Sequence, residues 1–123
     1  MIEIRITSEA ALALLLDRMR FELHQRQKSG LVKKELRLED LRYKELYSIV
    51  EASVFDTIFL MPVELITHQT NLLSIITDAI KSLSRIFHKE QFLLFKPKQA
   101  EKLIEPIIIY LNQQTNSEEY RNN

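Results

Sequence analysis

The sequence lacks cysteine entirely, and it has only one glycine and three prolines among 123 residues. Without cysteine there is no disulfide framework, no thiolate nucleophile and no cysteine zinc site. So few chain breakers favour long helices over a β fold with many turns. A chain of this length can bury one hydrophobic core without a metal or a disulfide. We therefore predict one mainly α domain and no cofactor.

The sequence also lacks an excess of either charge and an uninterrupted apolar run. Seventeen basic residues balance seventeen acidic ones, so the net charge favours neither nucleic acid nor a membrane as a partner. The most apolar stretch, residues 46–66, is interrupted by Glu51, Asp56, Pro62 and Glu64. A membrane-spanning helix needs about 20 nearly continuous apolar residues. Because no secretory signal opens the sequence either, we expect a cytoplasmic protein with no membrane partner.

The spacing of apolar residues predicts a small four-helix bundle. In residues 62–88, Leu72, Ile76, Ala79 and Leu83 recur at helical spacing, so we expect this helix to be the centre of the bundle. The domain should cover residues 1–114, followed by a flexible polar tail, 115–123. The predicted helices span residues 8–28, 40–61, 62–88 and 98–114, with short strands at 2–7 and 91–95.

Two segments allow more than one structure. Residues 31–39 alternate Leu36 and Leu38 with charged residues, which fits a strand or the first turns of a long helix. Residues 47–61 are rich in β-branched and aromatic side chains, so a strand is the alternative to a helix there.

Apolar residues exceed what one face of each middle helix would bury. The second predicted helix is apolar on opposite sides from Ile49 onward. We therefore predict a protein–protein interaction module, such as a regulator, adaptor or inhibitor, that presents an apolar helix face and forms a homodimer. The expected interface residues are Phe55, Phe59, Leu72 and Ile76. Alternatively, both phenylalanines fill the core of the monomer.

Basic residues are concentrated in one part of the chain. Residues 18–44 contain nine basic and four acidic residues, whereas residues 45–80 contain no lysine or arginine. The alternative function is therefore nucleic-acid binding through phosphate contacts. The expected contacts are Arg26, Lys28, Lys33, Lys34 and Arg37.

Residues suited to catalysis are sparse. One glycine excludes a glycine-rich phosphate loop, and Glu64 and His68 alone are too few to bind a metal. The spacing of Arg18 and His24 resembles the arginine–histidine motif of HEPN-type ribonucleases, which implies a small helical nuclease or hydrolase as a third function. Asp56 lies among apolar neighbours and should have a partner if it is buried. The sequence as a whole disfavours an enzyme.

Overall fold

The described residues form four α-helices and two short 3₁₀ helices. The computed structural model describes residues 6–61 and 69–121 of the chain, and these residues form no strand. The α-helices are α1 Ser8–Lys28, α2 Tyr43–Phe59, α3 Gln69–Phe87 and α4 Pro97–Arg121. The 3₁₀ helices span Leu38–Asp40 and Glu90–Leu94. The predicted mainly α, bundle-like fold is confirmed.

The helices pack around one core. Helix α1 packs chiefly against α2 and α3, and α4 packs against the same two helices. Helix α3 packs against α1, α4 and the second 3₁₀ helix, whereas α2 packs chiefly against α1 and α4. Among the described residues, no helix combines the length and the apolar character that crossing a membrane requires. The largest fully buried side chains include Leu15, Met19, Leu46, Ile58, Leu72, Ile76, Leu83, Phe92 and Ile104.

Helix α1 begins and ends at capping residues that the sequence indicates. The hydroxyl oxygen of Thr7 accepts a 3.0 Å hydrogen bond from the N–H of Ala10. At the other end Gly30 has φ +82°, and the N–H of Leu31 donates to the carbonyl of Arg26 at 2.9 Å. This is a Schellman motif, in which glycine adopts the left-handed conformation without strain.

The segment between α1 and α2 is neither a strand nor a long helix. The side-chain amide of Gln27 donates to the carbonyls of Leu36 and Lys33 at 2.9 and 3.1 Å, which holds the loop against α1. The N–H of Arg37 donates to the carboxylate of Asp40 at 2.9 Å, so the Asp40 side chain caps the start of the first 3₁₀ helix. Helix α2 consequently starts at Tyr43 and not at residue 40.

Helix α2 covers residues 47–59, which is most of the range for which a strand was the alternative. Its buried hydroxyls are compatible with an apolar core because each has a hydrogen-bond acceptor. Ser53 donates to the carbonyl of Ile49 at 2.6 Å, and Thr57 donates to that of Ser53 at 2.8 Å.

Helix α3 ends at an unusual residue. His88 has φ 53°, and the N–H of Lys89 donates to the carbonyl of Ser84 at 3.0 Å. This is the hydrogen bond that glycine normally permits after a helix, here made with histidine in the left-handed conformation. The start predicted for this helix, residues 62–68, lies outside the described residues.

The predicted strand at 91–95 is wrong. Phe92 and Phe95 are buried at a spacing of three, and residues i and i+3 lie on the same side of a 3₁₀ helix. Of its expected partner at 2–7, Ile6 and Thr7 belong to no strand, and residues 2–5 lie outside the described part of the chain.

Helix α4 continues through Pro106 and beyond the predicted end. Ala100, Ile104 and Ile107 are its buried residues at helical spacing. The helix ends at Arg121, so the segment predicted to be a polar tail is helical as far as that residue.

Candidate interaction surfaces

Three aromatic side chains from two helices form an exposed cluster. Phe55 and Phe59 on α2 are 42% and 45% exposed, and Tyr110 on α4 is 44% exposed. The ring centroids of Phe55 and Phe59 are 4.7 Å apart, and those of Phe59 and Tyr110 are 6.1 Å apart. We call these three residues the aromatic patch. Aromatic side chains dominate the energetics of protein interfaces, so the patch is a candidate interaction surface.

Negative charge accompanies the aromatic patch. Glu51, Phe55 and Phe59 are spaced four residues apart and follow one another along the same face of α2. Asp56 is half-buried beside them, and no lysine or arginine occurs from residue 45 to residue 80. The patch is therefore an apolar surface with acidic neighbours.

Leu72 and Ile76, the other two expected interface residues, lie in the core. Both are almost completely inaccessible to solvent. They are unable to contact a partner while the bundle is intact, which restricts the candidate surface to the two phenylalanines. Tyr110 was missed because residues 107–111 form a nearly continuous apolar run in which no single position is distinguished.

A shallow groove lies between α3 and α4. Its volume is about 270 Å³. Its lining is Leu73, Ile104, Ile108 and Ile109, with Glu101 and Glu105. Both carboxylates reinforce the negative charge of this side.

The basic stretch divides into structural and exposed residues. Arg26 donates to the carboxylate of Glu22 at 3.0 Å and to the hydroxyl of Ser48 at 3.1 Å, so it links α1 to α2. The side chain of Arg37 lies 3.7 Å from that of Glu39. Lys28, Lys33 and Lys34 are exposed. Of the five expected phosphate contacts, these lysines are the ones without an ion pair among the described residues.

Arg18 and His24 do not converge on one face of α1. A separation of six residues turns the two side chains about 120° apart on an α-helix. The guanidinium of Arg18 lies 5.2 Å from the ring centroid of Phe21, and its Nε has no hydrogen-bond partner. His24 is exposed. The two side chains therefore lie on different sides of α1, and the nuclease alternative stays a prediction.

Groups suited to metal binding are not assembled in the described residues. No set of three or more histidine, aspartate and glutamate side chains is close enough there to hold a metal ion. Glu64 and His68 lie outside these residues.

Two tyrosines on α2 have perturbed acidity. The ring of Tyr43 contacts that of Phe92 with centroids 4.9 Å apart, and burial raises the pKa of its hydroxyl above 10.0. Burial also raises the pKa of Tyr47, and the negative charge of Glu51 adds to this effect. Both side chains pack against the second 3₁₀ helix or the residue that follows it.

Comparison with known proteins assigns no relationship. No protein-family model matches the chain, and no curated protein or solved structure matches it either.

Proposed function

We propose that this protein is a small protein–protein interaction module, a regulator, adaptor or inhibitor, that forms a homodimer through the aromatic patch. The observation that carries the proposal is the exposure of Phe55, Phe59 and Tyr110 in mutual contact. Burial of clustered aromatic rings in an interface stabilises a complex more than burial of dispersed apolar residues does.

A two-fold arrangement suits the position of the two phenylalanines. They lie one turn apart on α2. Two α2 helices that cross at this point would place Phe55 of one copy against Phe59 of the other, twice, in an isologous interface. Glu51 and Asp56 would border that interface in both copies. Like charges would then oppose dimerisation, so the dimer should strengthen as salt screens them.

Light scattering coupled to size exclusion tests the proposal. At tens of micromolar the wild-type protein should elute as a dimer, and more completely at higher salt. Phe59→Glu should yield a folded monomer, because the residue is exposed and its charge would be buried only in the dimer. Phe59→Gln should weaken the dimer without adding a charge.

Leu31→Glu is the matched control, because Leu31 is exposed and lies in the loop after α1. It should leave the dimer intact. A wild-type monomer at these concentrations, or a dimer that Phe59→Glu does not affect, would contradict the proposed interface. A Phe59→Glu variant without helical circular dichroism would instead assign the side chain to the core.

A further inference from the structure

The second 3₁₀ helix presents two leucines to solvent. Leu93 and Leu94 are 58% and 74% exposed. Their neighbours Phe92 and Phe95 are buried in the core and anchor the 3₁₀ helix to the bundle. We call Leu93 and Leu94 the leucine tip. A firmly anchored turn that exposes two large apolar side chains is a surface on which a partner can dock.

Positive charge surrounds the leucine tip in the sequence. Residues 81–98 contain five cations and a single acidic residue, Glu90. The cations are Lys81, Arg85, Lys89, Lys96 and Lys98. Lys96 and Lys98 also flank the start of α4, whose first turn has no acidic residue. The helix dipole is positive at that end, so its field adds to that of the lysines.

The fold brings the basic stretch at residues 18–44 to the same end of the bundle as residues 81–98. A groove of about 550 Å³ is lined by three cations, two carboxylates and the end of α3. These residues include Arg20, Lys34, Arg37, Glu35, Glu39 and Ile86. Residues 18–44 and 81–98 together hold fourteen cations and five anions, whereas the rest of the chain holds three cations and twelve anions. The neutral chain is therefore divided into a basic end and an acidic remainder.

We propose that this basic end binds the anionic surface of a lipid bilayer. The leucine tip would enter the boundary between headgroups and acyl chains, while the surrounding lysines and arginines contact lipid phosphates. The protein would lie on the membrane and not span it. The expectation of no membrane partner followed from the net charge of the whole chain, which conceals this separation.

The leucines favour lipid over nucleic acid as the anionic partner. Nucleic-acid surfaces that bind single strands place aromatic rings against the bases. In the tip, Phe92 and Phe95 are buried and the two exposed side chains are aliphatic. Phe21, an exposed ring of the basic stretch, lies against the guanidinium of Arg18. An aliphatic side chain gains from transfer into an acyl environment and has no π face on which a base would stack.

Co-sedimentation with vesicles tests this proposal on the full chain. Vesicles of phosphatidylcholine with roughly a third phosphatidylserine should bind the protein, and phosphatidylcholine alone should not. Binding should decrease as salt is raised. Lys96→Gln with Lys98→Gln should weaken binding roughly tenfold, since each lysine near the surface contributes to the attraction.

Leu93→Ser with Leu94→Ser should also weaken vesicle binding roughly tenfold, because the inserted apolar area is lost. Leu60→Ser removes a comparably exposed leucine outside the basic end, and it should leave binding unchanged. All variants should keep the helical circular dichroism of the wild type. The aromatic patch is not involved, so Phe59→Glu should bind vesicles like the wild type even if the proposed homodimer does not exist.

Three results would overturn the proposal. One is the absence of binding to phosphatidylserine vesicles at low salt. Another is a Leu93→Ser, Leu94→Ser variant that binds vesicles as well as the wild type. The third is tighter binding to a DNA duplex or an RNA oligonucleotide than to vesicles, with no effect of the leucine substitutions, which would assign the basic end to nucleic acid.

Discussion

Gly30 and His88 occupy equivalent positions after α1 and α3, and both have positive φ. Histidine is strained there by roughly 1 kcal/mol, whereas glycine is not. His88→Gly should therefore raise the free energy of unfolding by about 1 kcal/mol. Gly30→Ala should lower it by a similar amount, about 1 kcal/mol, because the added Cβ meets no atom within 4 Å and only the backbone is strained.

Denaturant unfolding measures both changes. A His88→Gly variant that is no more stable than the wild type would show that the histidine side chain contributes a compensating interaction at the end of α3. Equal destabilisation by both substitutions would contradict the common capping geometry.

Tyr43 and Tyr47 make the stability depend on pH in alkaline solution. Their folded-state pKa values lie above 10.0, so the unfolded chain loses the protons first as the pH rises. Their contribution to stability is therefore fully present below pH 10 and is lost as the pH rises through the folded-state pKa values. The Tyr43→Phe, Tyr47→Phe variant should lose less stability than the wild type between about pH 8 and about pH 11.

Unfolding of the wild type and of this double variant at several pH values checks the prediction. The free energy of unfolding of the variant minus that of the wild type should increase as the pH rises. A difference that is constant over this range would contradict the raised pKa values.

At the scale of elements, the second 3₁₀ helix is the clearest departure from the sequence prediction. Residues 91–95 contain four apolar side chains in succession, which fits a buried strand as well as a short helix. The structure separates them into buried Phe92 and Phe95 and exposed Leu93 and Leu94. Periodicity is unable to make that distinction within five residues, because it depends on which side the rest of the bundle covers.

Substitution within this element tests its orientation. Phe92→Ala should lower the free energy of unfolding by about 3–5 kcal/mol, since it leaves a cavity beside Tyr43. Leu94→Ala should change it by about 0.5 kcal/mol or less, because the side chain is mostly exposed. Chemical denaturation compares the two, and similar losses would mean that both residues are buried.

At the scale of the whole molecule, the sequence predicted the positions of the helices better than it predicted which of their faces are buried. The spacing of apolar residues correctly placed α1 at 8–28, and the local interactions of Thr7 and Gly30 determine its ends. Phe55 and Leu72 are equally apolar in the sequence, yet one is exposed and the other buried. That difference arises from the order in which the helices pack, which no single segment encodes.

The distribution of surface charge also depends on how segments distant in the sequence pack together. The basic stretch at 18–44 was visible in the sequence, but its union with residues 81–98 depends on the end of α3 lying beside the loop after α1. Conversely, Arg26 was expected to contact phosphate, and the structure binds it to Glu22 and Ser48. Local composition therefore indicated the sign of a surface and not the residues that form it.

The central proposal is that two copies meet through the aromatic patch, and the absence of cysteine allows a direct test. Glu51→Cys places a single spin label beside the patch, and Lys33→Cys places one in the loop after α1. Pulsed electron spin resonance at tens of micromolar measures the distance between the two labels of a dimer. We predict a defined distance for the label at 51 that is shorter than that for the label at 33. No distance at either position, or a shorter one at position 33, would contradict the proposed interface.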